Sequence, residues 1–153
     1  MKPTEPLPLY HSWPLFECGQ RFNLDQAVDW AVPDLSGAPV LKAEGQEFAR
    51  RGIGLWECDL ADNSLTWSNE VYDIFGLPRG ACVSREETLA LYCDESRVVM
   101  EALRAYAIKH RRGFTLDVEI RPSLTRRRWM RLIAAPICEG NHVVRLRGSK
   151  QAI

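Results

Sequence analysis

A chain of 153 residues, 46% hydrophobic and 26% charged, has the make-up of one globular domain large enough to bury its own core. Lys+Arg and Asp+Glu both number 20, so the overall charge gives no reason to expect nucleic acid or an anionic membrane as partner. No apolar run reaches membrane-spanning length, and Met1-Lys2-Pro3-Thr4 leads into prolines instead of a signal-peptide core, so a cytoplasmic protein without membrane insertion is expected. The five cysteines (18, 58, 82, 93, 138) are scattered, with no Cys-x-x-Cys pair, and indicate neither a disulfide framework nor a zinc site.

Residues 1–41 differ in character from the rest. Prolines at 3, 6, 8, 14, 33 and 39 fix φ and remove donors, which argues against the start of a sheet. Leu7, Leu9, Tyr10, Trp13, Leu15, Phe16 and Phe22 are too apolar for a disordered tail, so this stretch reads as an extension packed on the domain or on a second subunit. Asn23 to Val32 reads as a short helix capped by Asn23 and stopped at Pro33, and Leu41 to Arg51 as a helix leading into the first strand. Ile53 to Asp59 and Leu65 to Trp67 then form two strands around the polar turn Ala61-Asp62-Asn63-Ser64. A short helix follows, capped by Ser68 or Asn69 and stopped at Gly76, and Ser84-Arg85-Glu86-Glu87 has the form of a capping box.

Asp94 is expected to cap the longest helix, about 95–111, whose apolar residues recur at three- and four-residue intervals until Gly113 ends it. In the strand from Phe114 to Arg121, Phe114, Leu116, Val118 and Ile120 alternate with Thr115, Asp117, Glu119 and Arg121, so one face is buried and the other is wet or at a protein contact. Pro122 is expected to end it. Two more strands, 129–136 and 143–148, complete a five-stranded antiparallel sheet with helices on one face, an α+β domain. The basic cluster Arg126-Arg127-Arg128 with Arg131 reads as a solvated hairpin edge.

Several pieces in this order carry a resemblance. They are Gly-Ile-Gly-Leu-Trp-Glu-Cys-Asp-Leu (52–60), Trp67-Ser68, Phe75-Gly76-Leu77-Pro78, Asp94-Glu95-Ser96-Arg97, Gly113-Phe114, Arg128-Trp129-Met130 and Arg145-Leu146-Arg147-Gly148. From about residue 42 to the end, the chain resembles the PAS domains of bacterial sensor kinases and cyclic-nucleotide enzymes. The division is therefore an extension, 1–41, and a PAS domain, 42–153. The resemblance implies a sensory module of two-component regulation, and a leading segment that forms a dimer contact. In modules that drive an attached kinase or cyclase, the last strand closes with a Gly and then an Asp-Ile-Thr-like tripeptide. Here Gly148 is followed by a chain that soon stops, with Ala152 where the Asp would stand, so a stand-alone protein is expected.

No nucleophile elbow, phosphate loop, dinucleotide fingerprint or His-Glu-x-x-His is present, so no enzyme and no catalytic residue is expected. The histidines (11, 110, 142) show no metal spacing, and His110 reads as a surface residue at a helix end and not as a haem ligand. The flavin-attachment motif of photosensing relatives is missing around Cys82, and Cys93 stands where relatives carry histidine. Neither haem nor flavin is expected. The resemblance implies a cavity between sheet and helices, with Trp56, Cys58, Trp67, Tyr72, Phe75, Leu103, Tyr106, Phe114, Leu116 and Val118 as candidate lining. These side chains are large enough to fill it themselves. The expected function is a non-enzymatic adaptor that docks signalling proteins such as histidine kinases. It would pair as a homodimer through Tyr10, Trp13, Phe16 and Trp30 and the outer residues Thr115, Asp117, Glu119 and Arg121. A small-molecule or cofactor sensor with an occupied pocket is the alternative.

Overall fold

The computed structural model describes His11–Ser12, Val28–Pro33, Pro39–Leu41 and residues 43–153, with side chains from residue 46. Its main sheet is built around a hairpin, β4 (Ile53–Asp59) with β5 (Ser64–Trp67), in which Trp56 faces Trp67 and Asp59 faces Ser64. Asn63 takes the left-handed conformation at φ 58°, and the Asp59 and Asp62 carboxylates accept from the amides of Ala61 and Ser64, both at 2.9 Å. These are Asx-type turn bonds, which is why this polar stretch reverses the chain.

Helix α2 (Asn69–Phe75) ends at Gly76 with φ 71°, as its sequence predicts. Ser68 starts it without capping it. Its hydroxyl accepts from the Leu55 amide at 2.8 Å instead, pinning the helix to β4. The capping box forms at α3 (Arg85–Leu89): Ser84 Oγ accepts from the Glu87 amide at 3.1 Å, and the Glu87 carboxylate from the Ser84 amide at 3.4 Å. The long helix α4 (Asp94–His110) has Cys93 at its N-cap, and Asp94 lies inside its first turn, paired with Arg97 at 2.9 Å. Arg111, not Gly113, takes the left-handed position that ends it. Helix α1 (Ala43–Arg50) leads into the hairpin as expected.

Strands β6 (Phe114–Ser123), β7 (Arg126–Glu139) and β8 (His142–Ala152) follow, all antiparallel, giving the order β6-β7-β8-β4-β5. A two-residue strand, β1 (His11–Ser12), extends this five-stranded sheet at the β6 edge. Pro122 does not end β6. It falls where the register with β7 shifts, a position that tolerates a missing donor. The arginine cluster belongs to the strands: Arg128 donates to the Ile74 carbonyl at the end of α2 at 3.1 Å, Arg127 pairs with Glu119 and Arg131 with Asp117.

The expected helix over 23–32 is overturned in its described part. Val28–Pro33 is a strand, β2, paired with β3 (Pro39–Leu41) in a separate two-stranded sheet. The two prolines of this extension that lie among the described residues, Pro33 and Pro39, sit at strand ends, where a missing donor is tolerated. Residues 1–41 thus contribute strands after all, β1 on the main sheet included.

The core lies between one sheet face and the helices. Val71, Phe75, Leu103, Ala107, Phe114, Val118, Ile120 and Met130 are all fully buried there. Helix α2 packs so closely on β4 that a Cβ on Gly54 would stand 2.5 Å from Val71 Cγ2 and 2.8 Å from its amide nitrogen. Gly54→Ala is therefore expected to lower stability by about 1–3 kcal/mol, read by urea denaturation, because backbone atoms must move. Among the described residues, no helix is long and apolar enough to cross a membrane.

Candidate ligand cavity

The sheet and helices do not close completely on each other. A cavity of ≈ 60 Å³ remains, walled on the sheet side by Trp56 and Cys58 of β4, Phe114 of β6, Leu132 and Ala134 of β7, and Leu146 and Lys150 of β8. Arg85, Thr88 and Leu89 of α3, Tyr92, and Met100 and Arg104 of α4 form the other side, with Leu65 at the hairpin. Most of this wall is hydrocarbon.

Of the charged groups in it, Lys150 is the one that is buried. It is 6% exposed, and β8 places it inside because its antiparallel partner on β7 is Leu132, a core residue on the helix-facing side. Its Nζ donates one hydrogen bond, to Tyr92 Oη at 3.4 Å, and lies 4.9 Å from the Phe75 ring centroid, 5.3 Å from Trp56 and 5.7 Å from Trp67. Aromatic faces stabilise a cation only partly. Burial pulls the Lys150 amine down to about 7, with the nearby Arg85 acting in the same sense and Cys58 opposing it. Burial also pushes up the Cys58 thiol, against the pull of Arg104, and the Tyr92 phenol.

The other two cations of the wall differ in how they are balanced. Arg85 is ion-paired with Glu101. Arg104 donates to the neutral side-chain amide of Asn63 at 3.1 Å. Trp56 is 7% exposed and its indole N–H has no hydrogen-bond acceptor among the described residues. The wall therefore offers donors and positive charge in excess of acceptors.

Of the side chains that the sequence singled out as lining, Trp56, Cys58 and Phe114 face this cavity. Trp67 and Tyr72 line a wider surface cleft with Ala81 to Glu86, and the Tyr72 hydroxyl donates to the Ala81 carbonyl at 3.2 Å. Phe75, Leu103, Leu116 and Val118 are packed core. Tyr106 is half-buried, its ring 4.2 Å from that of His110. Cys82 is exposed, and Cys93 stands at the start of α4. Among the described residues, no group of histidines, cysteines and acids could hold a metal ion.

Of the residues expected at a protein contact, Thr115 is buried, Asp117 accepts from Arg131 at 2.8 and 3.0 Å, Glu119 pairs with Arg127 and Arg121 is exposed. Tyr10, Trp13 and Phe16 lie outside the described residues, as does the side chain of Trp30. Sequence reasoning missed Lys150, the most unusual residue in the cavity. The signal was available: the alternation Leu146, Gly148, Lys150 carries the inner face two residues past Gly148, where the last strand was expected to stop.

No family model matches the chain, and no curated protein matches it. Solved structures do. A sensory box histidine kinase/response regulator from Burkholderia thailandensis matches with TM-score 0.62 and 14% identity, over 73% of this chain and 85% of that one. The N-terminal domain of a diguanylate cyclase with PAS/PAC sensor from Marinobacter aquaeolei matches with TM-score 0.59 and 13% identity, over 65% of this chain and 94% of that one. An RNA-binding light-oxygen-voltage receptor matches with TM-score 0.58 and 14% identity, over 65% of this chain but only 29% of the receptor. At such identities the likeness concerns architecture, and the strand order, the hairpin and the helix-covered sheet agree with it: this chain has the PAS fold.

Proposed function

We propose that this chain is a cytoplasmic, non-enzymatic signal-transduction module. Its internal cavity takes a small ligand, and its output is contact with other signalling proteins, such as sensor histidine kinases. Lys150 carries the reading. A buried amine with one hydrogen bond costs more in lost hydration than that bond returns. A group held at such a cost, in a cavity, is a candidate for a binding role. The solved histidine kinase and diguanylate cyclase sensor domain of the same fold support a signalling role. A volume of ≈ 60 Å³ favours a ligand of a few atoms over a haem or a flavin, which need several-fold more space.

The second reading, a ligand-free adaptor, is favoured by how much of the core the large side chains fill: Phe75 and Leu103 are both at most 1% exposed. In either reading the outer sheet face is suited to a polar protein contact or a homodimer, because its charges come in pairs: Asp117 with Arg131, and Glu57 with Arg147 at 2.8 Å. Native mass spectrometry of the untagged protein from its own host separates the two. A small added mass that is lost on denaturation is expected. A bare mass, at one or two chains, returns the account to the adaptor.

A further inference from the structure

We propose that the cavity binds a small monocarboxylate with a short hydrocarbon body, its carboxylate taken by Lys150 Nζ and the Trp56 indole N–H. This rests on the ligand-sensing reading above and names the chemistry that the site selects.

Three observations lead to it. Lys150 spends one of its three N–H donors, on Tyr92. The Trp56 N–H is unspent and belongs to a residue that walls the same cavity. Arg104 meets an amide and not a carboxylate, so its charge, unlike that of Arg85, is not cancelled by an ion pair among the described residues. Two donors and an uncancelled positive field call for an anion.

The rest of the wall decides which anion. Leu65, Met100, Phe114, Leu132 and Leu146 offer no hydrogen bonds, whereas phosphate or sulfate presents four oxygens that all need them. A carboxylate places two acceptors at one end and leaves a body that the leucines can cover. Size sets the limit: the six carbons of benzene take a cavity of about 150 Å³, so ≈ 60 Å³ encloses on the order of two to three non-hydrogen atoms, the carboxylate itself. A short body, as in acetate to butyrate, extends along the apolar wall toward the open side of the site.

Binding also has a proton balance. An anion beside Lys150 favours the ammonium form, so the amine takes a proton from solvent as the carboxylate enters, with no covalent bond made or broken. Cys58, Tyr92, Arg85 and Arg104 face the same space. The thiol and phenol stay protonated near neutrality because burial raises both, which leaves Lys150 as the group that changes.

The test is isothermal titration of the full chain at pH 8 with acetate, propionate, butyrate, propionamide and inorganic phosphate, in two buffers of different ionisation enthalpy. A saturable carboxylate isotherm is expected, with uptake of about one proton and the amide at least tenfold weaker. Lys150→Met and Lys150→Gln should both weaken carboxylate binding at least tenfold and abolish the proton uptake. Equal binding of propionamide or phosphate overturns the proposal, as does wild-type affinity in both variants. If no carboxylate binds while native mass spectrometry shows another small molecule, the carboxylate assignment falls and the ligand-sensing reading stands. If neither shows a ligand, both fall.

Discussion

Trp67→Ala is expected to cost about 3–5 kcal/mol of stability, the range for emptying a large aromatic site that cannot collapse. Trp67 is 2% exposed, stacked on Phe75 at 5.2 Å with an interplanar angle of 12°, and edge-on to Tyr72 at 5.0 Å. It is also the last residue of β5 and faces Trp56 across the hairpin, so its loss loosens both β5 and the seat of α2. Its indole N–H has no acceptor among the described residues, so Trp67→Phe removes an unsatisfied donor while keeping a ring, and should cost clearly less. Urea denaturation of the three proteins measures both differences. A near-neutral Trp67→Ala contradicts the packing described.

Lys150→Met should act in the opposite direction and stabilise the protein by about 1–4 kcal/mol at pH 7. Methionine keeps the stem in contact with Leu132 and the aromatic rings and removes the amine. The gain should depend on pH in a way that identifies its source. The folded-state value of the amine, about 7, lies below the ordinary lysine value, so between these limits the unfolded chain binds the extra proton. Stability then rises with pH across that window. Below about pH 7 both states are charged and the full cost of burying the cation is present. From pH 7 to 9 the rise due to Lys150 amounts to roughly 2 kcal/mol, and it should be missing from the methionine variant. Above pH 9 the raised thiol of Cys58, and then the raised phenol of Tyr92, act in the other sense, because the unfolded chain loses those protons first. Denaturation curves at pH 7, 8 and 9 give the comparison. A methionine variant less stable than the parent at all three contradicts the cost assigned to the amine. A residue that destabilises the fold it belongs to, and lines a cavity, is what a binding site retained at the expense of stability looks like.

Local signals carried the fold. The hairpin 53–67, the stop at Gly76 and the capping box at Ser84 are each set by a few neighbouring residues and form as the sequence predicts, and β6 alternates as expected except at Thr115, which is buried. Where tertiary contacts competed, local reading failed. Ser68 gives its hydroxyl to Leu55 and leaves α2 uncapped, because a buried amide needs the acceptor more than an exposed helix end does. Val28–Pro33 becomes a strand because a partner, Pro39–Leu41, lies close enough along the chain to pair with it, which a cap at Asn23 and a stop at Pro33 do not reveal.

The candidate site was legible only in part for a similar reason. Trp56, Cys58 and Phe114 are strand residues whose inward direction follows from period two. Arg85, Tyr92 and Arg104 reach the cavity from helices and a connection whose placement is fixed by packing, not by spacing. Lys150 was hidden by its type as much as by its position. A lysine near the end of a strand is usually at the surface, and only its pairing opposite Leu132 turns it inward.

The central claim is that Lys150 is a buried amine poised for a ligand, and its most direct test is an NMR titration of the lysine ζ-nitrogen signals, with Lys150→Met assigning the resonance. The account predicts one lysine that titrates near pH 7 in the ligand-free protein and moves upward when propionate is added. A Lys150 that titrates with the surface lysines, near the ordinary value of about 10.4, and ignores propionate would contradict it.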